Sequence, residues 1–286
     1  MLRAGVTIGC AAAMVIAAVL AVRLRHTRRT PSPLTGSEAF GERLAVTVGR
    51  AGGMLLGASL AGVLTIGAGS RLMMRVLAVT SSDDVQGLST EADEVIGRVS
   101  AGGTTFLIVV VGMGAATAGL VLFLALRRWL PDRSLIAGLV GVAIGAGLLV
   151  RPSGLISSGN GDFALVEPVA LAVGLCLAMI VLFGATFGVL VDRLAPQWPR
   201  PGWSVHGVVS VLPFALLLPA PPLFIAAVIG VLVATLAPRV RPAAAVDGQV
   251  RRSVERAGRL GRILVAAFGA LGGPSVVAAA GQVLTV

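Results

Sequence analysis

The sequence lacks several residue types on which soluble enzymes commonly depend. It contains no lysine and no tyrosine, only two histidines and two cysteines among 286 residues, and 13% of its residues are charged. Because a G-x-x-x-x-G-K-[ST] phosphate loop needs lysine, the chain cannot form this ATP-binding site. Cys10 and Cys176 stand far apart, with no C-x-x-C spacing and no histidine or cysteine neighbour, so we interpret both as small core residues.

Apolar residues are what the sequence has in excess. They make up 56% of the chain, and the mean hydropathy is +0.94. A soluble core cannot bury so much apolar surface, so a lipid bilayer must take up the rest. The composition therefore predicts an all-α fold, a polytopic transmembrane helical bundle in which residues 1–286 form a single membrane domain.

Uncharged runs give the expected number of spans, since a helix needs about 20 apolar residues to cross the hydrocarbon. The uncharged segment 204–237 is too long for one span, and Pro219-Ala220-Pro221-Pro222 breaks it, which predicts a hairpin or a re-entrant segment. In total about eight spans are expected: residues 4–22, 54–70, 104–126, 135–150, 169–191, two within 204–237, and 263–286.

Arginine placement predicts the orientation. All 23 cations are arginines, and the net charge is +10. They cluster at the ends of apolar runs, which indicates anionic lipid head groups as partners and argues against nucleic acid. With both termini extracytoplasmic, the inside segments hold 18 Arg and 6 acids, and the outside segments hold 5 Arg and 7 acids. The positive-inside rule thus predicts a multi-pass protein of the cell membrane in this orientation.

Two further patterns concern partners. The basic cytoplasmic segment 238–262 lies just beneath the expected membrane surface, and its arginines are typical of lipid binding or of docking an acidic protein partner. Repeated G-x-x-x-G spacing favours close helix contacts, either within one bundle or in a homo-oligomer. It occurs at Gly5/Gly9, Gly53/Gly57, Gly141/Gly145, Gly184/Gly188 and Gly269/Gly273.

The expected spans contain few residues of the kinds that catalyse reactions or carry ions. None carries an ionisable residue near its middle, which argues against proton-coupled transport but leaves carbonyl and hydroxyl sites for sodium or a neutral solute. His206 and Ser59 lack the G-x-S-G pattern of intramembrane serine proteases, and His206 follows Trp203 at an expected interface. We therefore predict no enzyme activity and no catalytic, cofactor-binding or metal-binding residues.

The extracytoplasmic loop 70–103, between the second and third spans, has an ordered charge pattern and is predicted to be structured. Arg71 and Arg75 lie one helical turn apart and share a face that emerges at the membrane surface. Thr90 with Asp93 fits a capping box that starts a short helix with an acidic first turn. The candidate cluster is Arg71, Arg75, Thr90, Glu91, Asp93 and Glu94.

This cluster has two interpretations. If the short helix folds back over the bundle, Asp93 or Glu94 pairs with Arg75 and the loop closes as a structural clasp. Alternatively, the acidic turn forms an entrance for a cation or solute. The clasp is favoured because it needs only ordinary capping and ion pairing, whereas a metal site needs more converging ligands.

The loop also resembles a group of uncharacterised multi-span membrane proteins from high-GC, actinobacterial-type bacteria. The shared pattern is M-R-x-L-A-x-T, then Q-G, then T-E-A-D-E-x-x-G and G-G-T, and it matches residues 74–80, 86–87, 90–97 and 102–104. One departure is Leu88-Ser89-Thr90, where the pattern places leucine directly before threonine. The resemblance implies a membrane protein in which this loop matters, and it implies no activity.

Two classes of function follow from these observations. The absence of intramembrane charge and the arginine-rich inside face favour a structural, assembly or sensing role. The proline-broken hairpin and the many glycines favour the alternative, a permease for a neutral or weakly polar small solute.

Overall fold

The fold is all-α in the computed structural model, which describes residues 2–26, 40–88, 95–96, 100–127, 129–153, 167–199, 201, 211–215, 263, 265, 267, 278 and 280–283. Two π-helical segments, Gly62–Gly67 and Phe106–Val111, join helices that would otherwise be separate, and Asp83–Val85 is a 3₁₀ turn. The α-helices are α1 Leu2–Arg23, α2 Phe40–Ala61, α3 Ala68–Thr80, α4 Ala101–Thr105, α5 Gly112–Leu126, α6 Ser134–Ser153, α7 Val169–Leu194 and α8 Leu212–Ala215.

Four helical stretches of the described chain are long and apolar enough to cross a membrane, which indicates a multi-span membrane protein. They are Gly5–Arg23, Phe40–Thr80, Ala101–Leu126 and Val169–Gln197, and they correspond to the first, second, third and fifth spans expected from the sequence. The fourth expected span coincides with α6, of which Ser134–Ala146 is a shorter apolar helix. Apart from residues 211–215, segment 204–237 lies outside the described residues, as does most of 263–286, so eight spans stay a prediction.

The second long helix differs from its prediction, because it runs unbroken through 41 residues where the uncharged run covers 54–70. At 1.5 Å per residue it is about 60 Å long, roughly twice the hydrocarbon thickness of a bilayer. No proline interrupts it. Both ends therefore extend beyond the apolar run, with Arg43 and Arg50 towards one end and Arg71 and Arg75 towards the other.

Glycines let the helix backbones approach each other. A Cβ atom at Gly53 would lie 2.6 Å from the carbonyl oxygen of Leu194, and one at Gly188 would lie 2.7 Å from the Cα of Gly138. These contacts join α2 and α6 to α7, which is the central helix of the described bundle. By contrast, no atom of the described residues lies within 4 Å of a Cβ at Gly5 or Gly9, so that G-x-x-x-G pair makes no close helix contact within the described part of the chain.

The core of the bundle is aromatic where α5 meets α7. Phe123 and Phe187 pack edge to face with ring centroids 5.6 Å apart, and Phe183 lies 5.4 Å from Phe187. The hydroxyl of Thr186, which is fully buried, donates to the carbonyl oxygen of Ala17 at 3.3 Å and connects α7 to α1. Such side-chain to backbone bonds between helices satisfy polar groups that lipid cannot.

Candidate functional site

Arg71 lies where α3, α4 and their connecting loop meet. Its side chain is almost fully buried, at 5% exposure, and Nη2 donates to the carbonyl oxygen of Ser100 at 3.3 Å. Ser100 in turn caps α4, because its Oγ accepts a hydrogen bond from the backbone N–H of Gly103 at 2.9 Å. The guanidinium therefore connects the end of one long helix to the start of the next.

The loop after α3 is folded onto that helix by its own hydrogen bonds. The side-chain amide of Gln86 donates to the carbonyl oxygen of Ala78. Further on, Gly87 N–H donates to Ile96 at 3.1 Å, and Ile96 N–H donates to Leu88 at 2.9 Å, so these segments pair in opposite directions. Gly87 has a φ of +91°, a conformation that a residue with a Cβ adopts only at a cost, and it is where the chain turns.

A second connection runs from the end of α3 to the start of α7. The backbone N–H of Glu167 donates to Ser81 Oγ at 3.0 Å, and Ser81 Oγ donates to the carbonyl oxygen of Glu167 at 3.4 Å. Glu167 directly precedes Pro168, the N-cap of α7. We call the region formed by Arg71, Ser81, Ser100 and Glu167 the Arg71 end of the bundle.

The predicted loop cluster is only partly within the described chain. Arg71 is more enclosed than a face emerging at the membrane surface implies, whereas Arg75, one turn further, is half-buried. Thr90, Glu91, Asp93 and Glu94 lie outside the described residues, so the pairing of Arg75 with an acid stays a prediction. The contacts of Arg71, Ser81 and Gln86 are side-chain to backbone bonds that join segments of the chain.

A second polar site, which the sequence analysis does not predict, lies at the other end of the bundle. Arg127 Nη2 lies 3.3 Å from Asp192 Oδ1, and the two side chains are 21% and 1% exposed. Nη1 of the same guanidinium donates to the sulfur of Met54 at 3.4 Å, and the guanidinium carbon lies 5.7 Å from the centre of the Phe123 ring. We call this region the Arg127 end.

One signal in the sequence points to that pair. Arg127 directly follows the third expected span, and Asp192 directly follows the fifth. Spans of odd number cross in the same direction, so both residues are expected at the same face of the membrane. The sequence does not reveal, however, that α5 and α7 are neighbours in the bundle, and this contact is what brings the charges together.

Within the described part of the chain, no group of three or more histidine, cysteine, aspartate or glutamate residues is placed to hold a metal ion. Cys10 is buried and Cys176 is half-buried, and both are free thiols. His206 lies outside the described residues. Comparison of the chain with protein-family models, with curated proteins and with solved structures finds no match. The resemblance carried by the loop motif therefore stays a prediction.

Proposed function

We propose that the chain is a structural, assembly or sensing component of the cell membrane, with both termini extracytoplasmic and the basic segment 238–262 inside. The observation that carries this proposal is the close packing of helix backbones at glycines along α7. Contacts of this kind on α2 and α6 favour a bundle with one arrangement, because separating the helices would lose many short backbone approaches at once.

The distribution of charge supports the same role. Within the described chain, the helical stretches between the Arg71 end and the Arg127 end contain no arginine, histidine, aspartate or glutamate. A charge in that interior is the common mark of an ion or proton path. The charges stand instead at the two ends, where Arg71 bonds Ser100 and Arg127 pairs with Asp192.

The test is purification of the full chain with native lipids and partners retained, followed by mass spectrometry of everything that co-purifies. A stoichiometric protein partner is expected. Changing Arg251, Arg252 and Arg256 to glutamine is expected to release it, since guanidinium groups would bind its acidic surface. The matched control is Arg23 and Arg25 changed to glutamine, which removes basic charge from another segment expected to lie inside.

One observation favours the permease as a second candidate. The π-helical segments Gly62–Gly67 and Phe106–Val111 pack against each other, and a Cβ at Gly67 would lie 2.8 Å from the Cα of Ile108. Irregular turns of this type occur frequently at functional sites, because they change the backbone hydrogen-bond pattern within a helix. Fully buried Thr65 lies in the first of these segments.

The same purification separates the two candidates. A small solute that remains bound at one copy per chain, without a stoichiometric protein partner, would favour the permease and contradict the assembly role. Substituting Thr65 by valine would then be expected to reduce retention of the solute. If the protein is a scaffold, this substitution would leave partner binding unchanged.

A further inference from the structure

Sulfur atoms from distant parts of the chain meet between α3 and α7. Cys176 Sγ lies 3.5 Å from Met73 Sδ, although the two residues are more than 100 positions apart in the sequence. Cys176 is half-buried, as is Met73. The thiol of Cys176 therefore points at a thioether.

A second pair of sulfur atoms lies beside Gly69. A Cβ atom at this glycine would be 2.8 Å from Met179 Sδ and 3.1 Å from Met14 Sδ, so both thioethers lie in the space that the missing side chain leaves. The hydroxyl of Ser70 also donates to Met179 Sδ at 3.7 Å. Helices α1, α3 and α7 thus each contribute to this point.

The two pairs lie on adjacent turns. Gly69 and Met73 are four residues apart on α3, and Cys176 and Met179 are three residues apart on α7, spacings that place each pair on one helical face. The contacts run in opposite order along α3 and α7, so both helices present their sulfur-bearing faces to each other. One thiol and three thioethers therefore lie within about two helical turns, or roughly 11 Å.

We propose that Cys176 and Met73, with Met179 and Met14 on the adjoining turn, form a binding site for a soft monovalent metal ion, Cu(I). Thiolate and thioether ligands select this ion over harder cations. On binding, Cu(I) replaces the thiol proton of Cys176, which is released to solvent, and the copper–sulfur bond forms without any change of oxidation state. In tetrahedral zinc–thiolate sites the metal–sulfur bond is about 2.3 Å, which puts two ligand sulfurs about 3.8 Å apart. The distance of 3.5 Å between Cys176 Sγ and Met73 Sδ is close to that value.

Charge balance within an apolar bundle supports Cu(I) over a divalent ion. One thiolate and neutral thioethers around Cu(I) make a site without net charge, which costs little to bury. Zn²⁺ with the same ligands would leave one positive charge in the bundle. The guanidinium of Arg71 does not oppose binding, because position 71 is on the face of α3 opposite Gly69 and Met73, and it bonds Ser100.

The proposal does not rest on the assembly role. Its test uses the full-length protein, purified without oxygen in detergent, and titrated with Cu(I) against a copper-chelating competitor. One ion per chain is expected, with copper–sulfur distances of about 2.3 Å in X-ray absorption. Cys176→Ser, and separately Met73→Leu with Met179→Leu, are each expected to weaken binding at least about tenfold. Met113→Leu, on α5, is the matched control and is expected to bind as the wild type does.

Three results would overturn the site. The first is loss of all Cu(I) from the wild type to the competitor. The second is bound copper with only nitrogen and oxygen neighbours. The third is binding by both ligand variants as tight as that by Met113→Leu. The X-ray absorption result needs no variant, so the proposal stays falsifiable if a substitution prevents folding. Thermal unfolding of each variant without copper identifies that case.

Discussion

Each end of the bundle encloses an arginine, buried Arg71 at one end and half-buried Arg127 at the other, and the two guanidinium groups have different partners. At the Arg127 end the guanidinium meets a carboxylate, that of Asp192, at 3.3 Å. At the Arg71 end the guanidinium is more deeply buried and meets a backbone carbonyl, that of Ser100, also at 3.3 Å. The two distances are equal, but the partners differ in charge. A carboxylate neutralises a guanidinium, whereas a carbonyl dipole only solvates it.

This difference predicts how much stability is lost when the arginine at each end, or its partner, is substituted. A buried ion pair is strongly destabilised when one partner is removed, because the other charge stays in a poorly solvated place. A guanidinium bonded to a carbonyl leaves only a neutral acceptor behind when it is removed, and that loss is smaller. The Arg127 end should therefore be the more sensitive to substitution, although its arginine is the more exposed of the two.

The largest expected effect tests that conclusion at the Arg127 end. Arg127→Met is expected to lower the free energy of unfolding by about 3 kcal/mol, because the carboxylate of Asp192 is nearly fully buried. Asp192→Asn is expected to cost less, about 1 kcal/mol, since a partly exposed guanidinium can extend towards head groups or water. Denaturant titration of each variant in detergent, with a common reference condition, measures both values.

Replacing both residues provides the control. Arg127→Met combined with Asp192→Leu is expected to recover part of the loss, as apolar replacement of a whole buried pair often does. If the single substitutions cost equal amounts and add without coupling in the double variant, the pair contributes no specific stabilisation. The contrast between the two ends would then lose its basis.

The sequence predicts the long apolar helices well, and the reason is physical. Crossing a bilayer requires a minimum apolar length, so runs such as 4–22 and 169–191 leave few alternatives. The second helix is longer than its apolar run because its first turns contain the charged residues Glu42, Arg43 and Arg50. Hydropathy alone assigns such charged residues to a loop. Its true length depends on packing against α7.

Contacts between helices are predicted less well. Gly53 and Gly5 both belong to G-x-x-x-G pairs, yet among the described residues Gly53 meets a neighbouring backbone and Gly5 does not, because the spacing defines a helix face and not what covers it. Arg127 pairs with Asp192, and Cys176 meets Met73. Neither contact can be predicted until it is known which helices are neighbours. From the sequence alone Cys176 is interpreted as a core residue, because no C-x-x-C spacing and no histidine or cysteine neighbour accompanies it.

A smaller effect is expected at the Arg71 end. Arg71→Met keeps much of the side-chain volume and removes the bond to Ser100, so we expect a loss of about 1 kcal/mol in the free energy of unfolding. Arg71→Lys restores a positive donor and serves as the control for charge. A loss as large as that of Arg127→Met would show that a carboxylate also balances Arg71, and the two ends would then be alike.

The smallest effect concerns whether the loop of the Arg71 end adds an ion pair of its own. Arg75→Ala and Glu94→Ala are each expected to lower the yield of folded protein in detergent, and their coupling is expected to be about 0.5 kcal/mol, typical of a partly exposed pair. A double-mutant cycle, with the free energy of unfolding measured for all four proteins, gives that coupling directly. If Arg75→Ala costs the same with and without Glu94, the two side chains do not pair. Backbone bonds, such as that between Gly87 and Ile96, would then hold the loop without this ion pair.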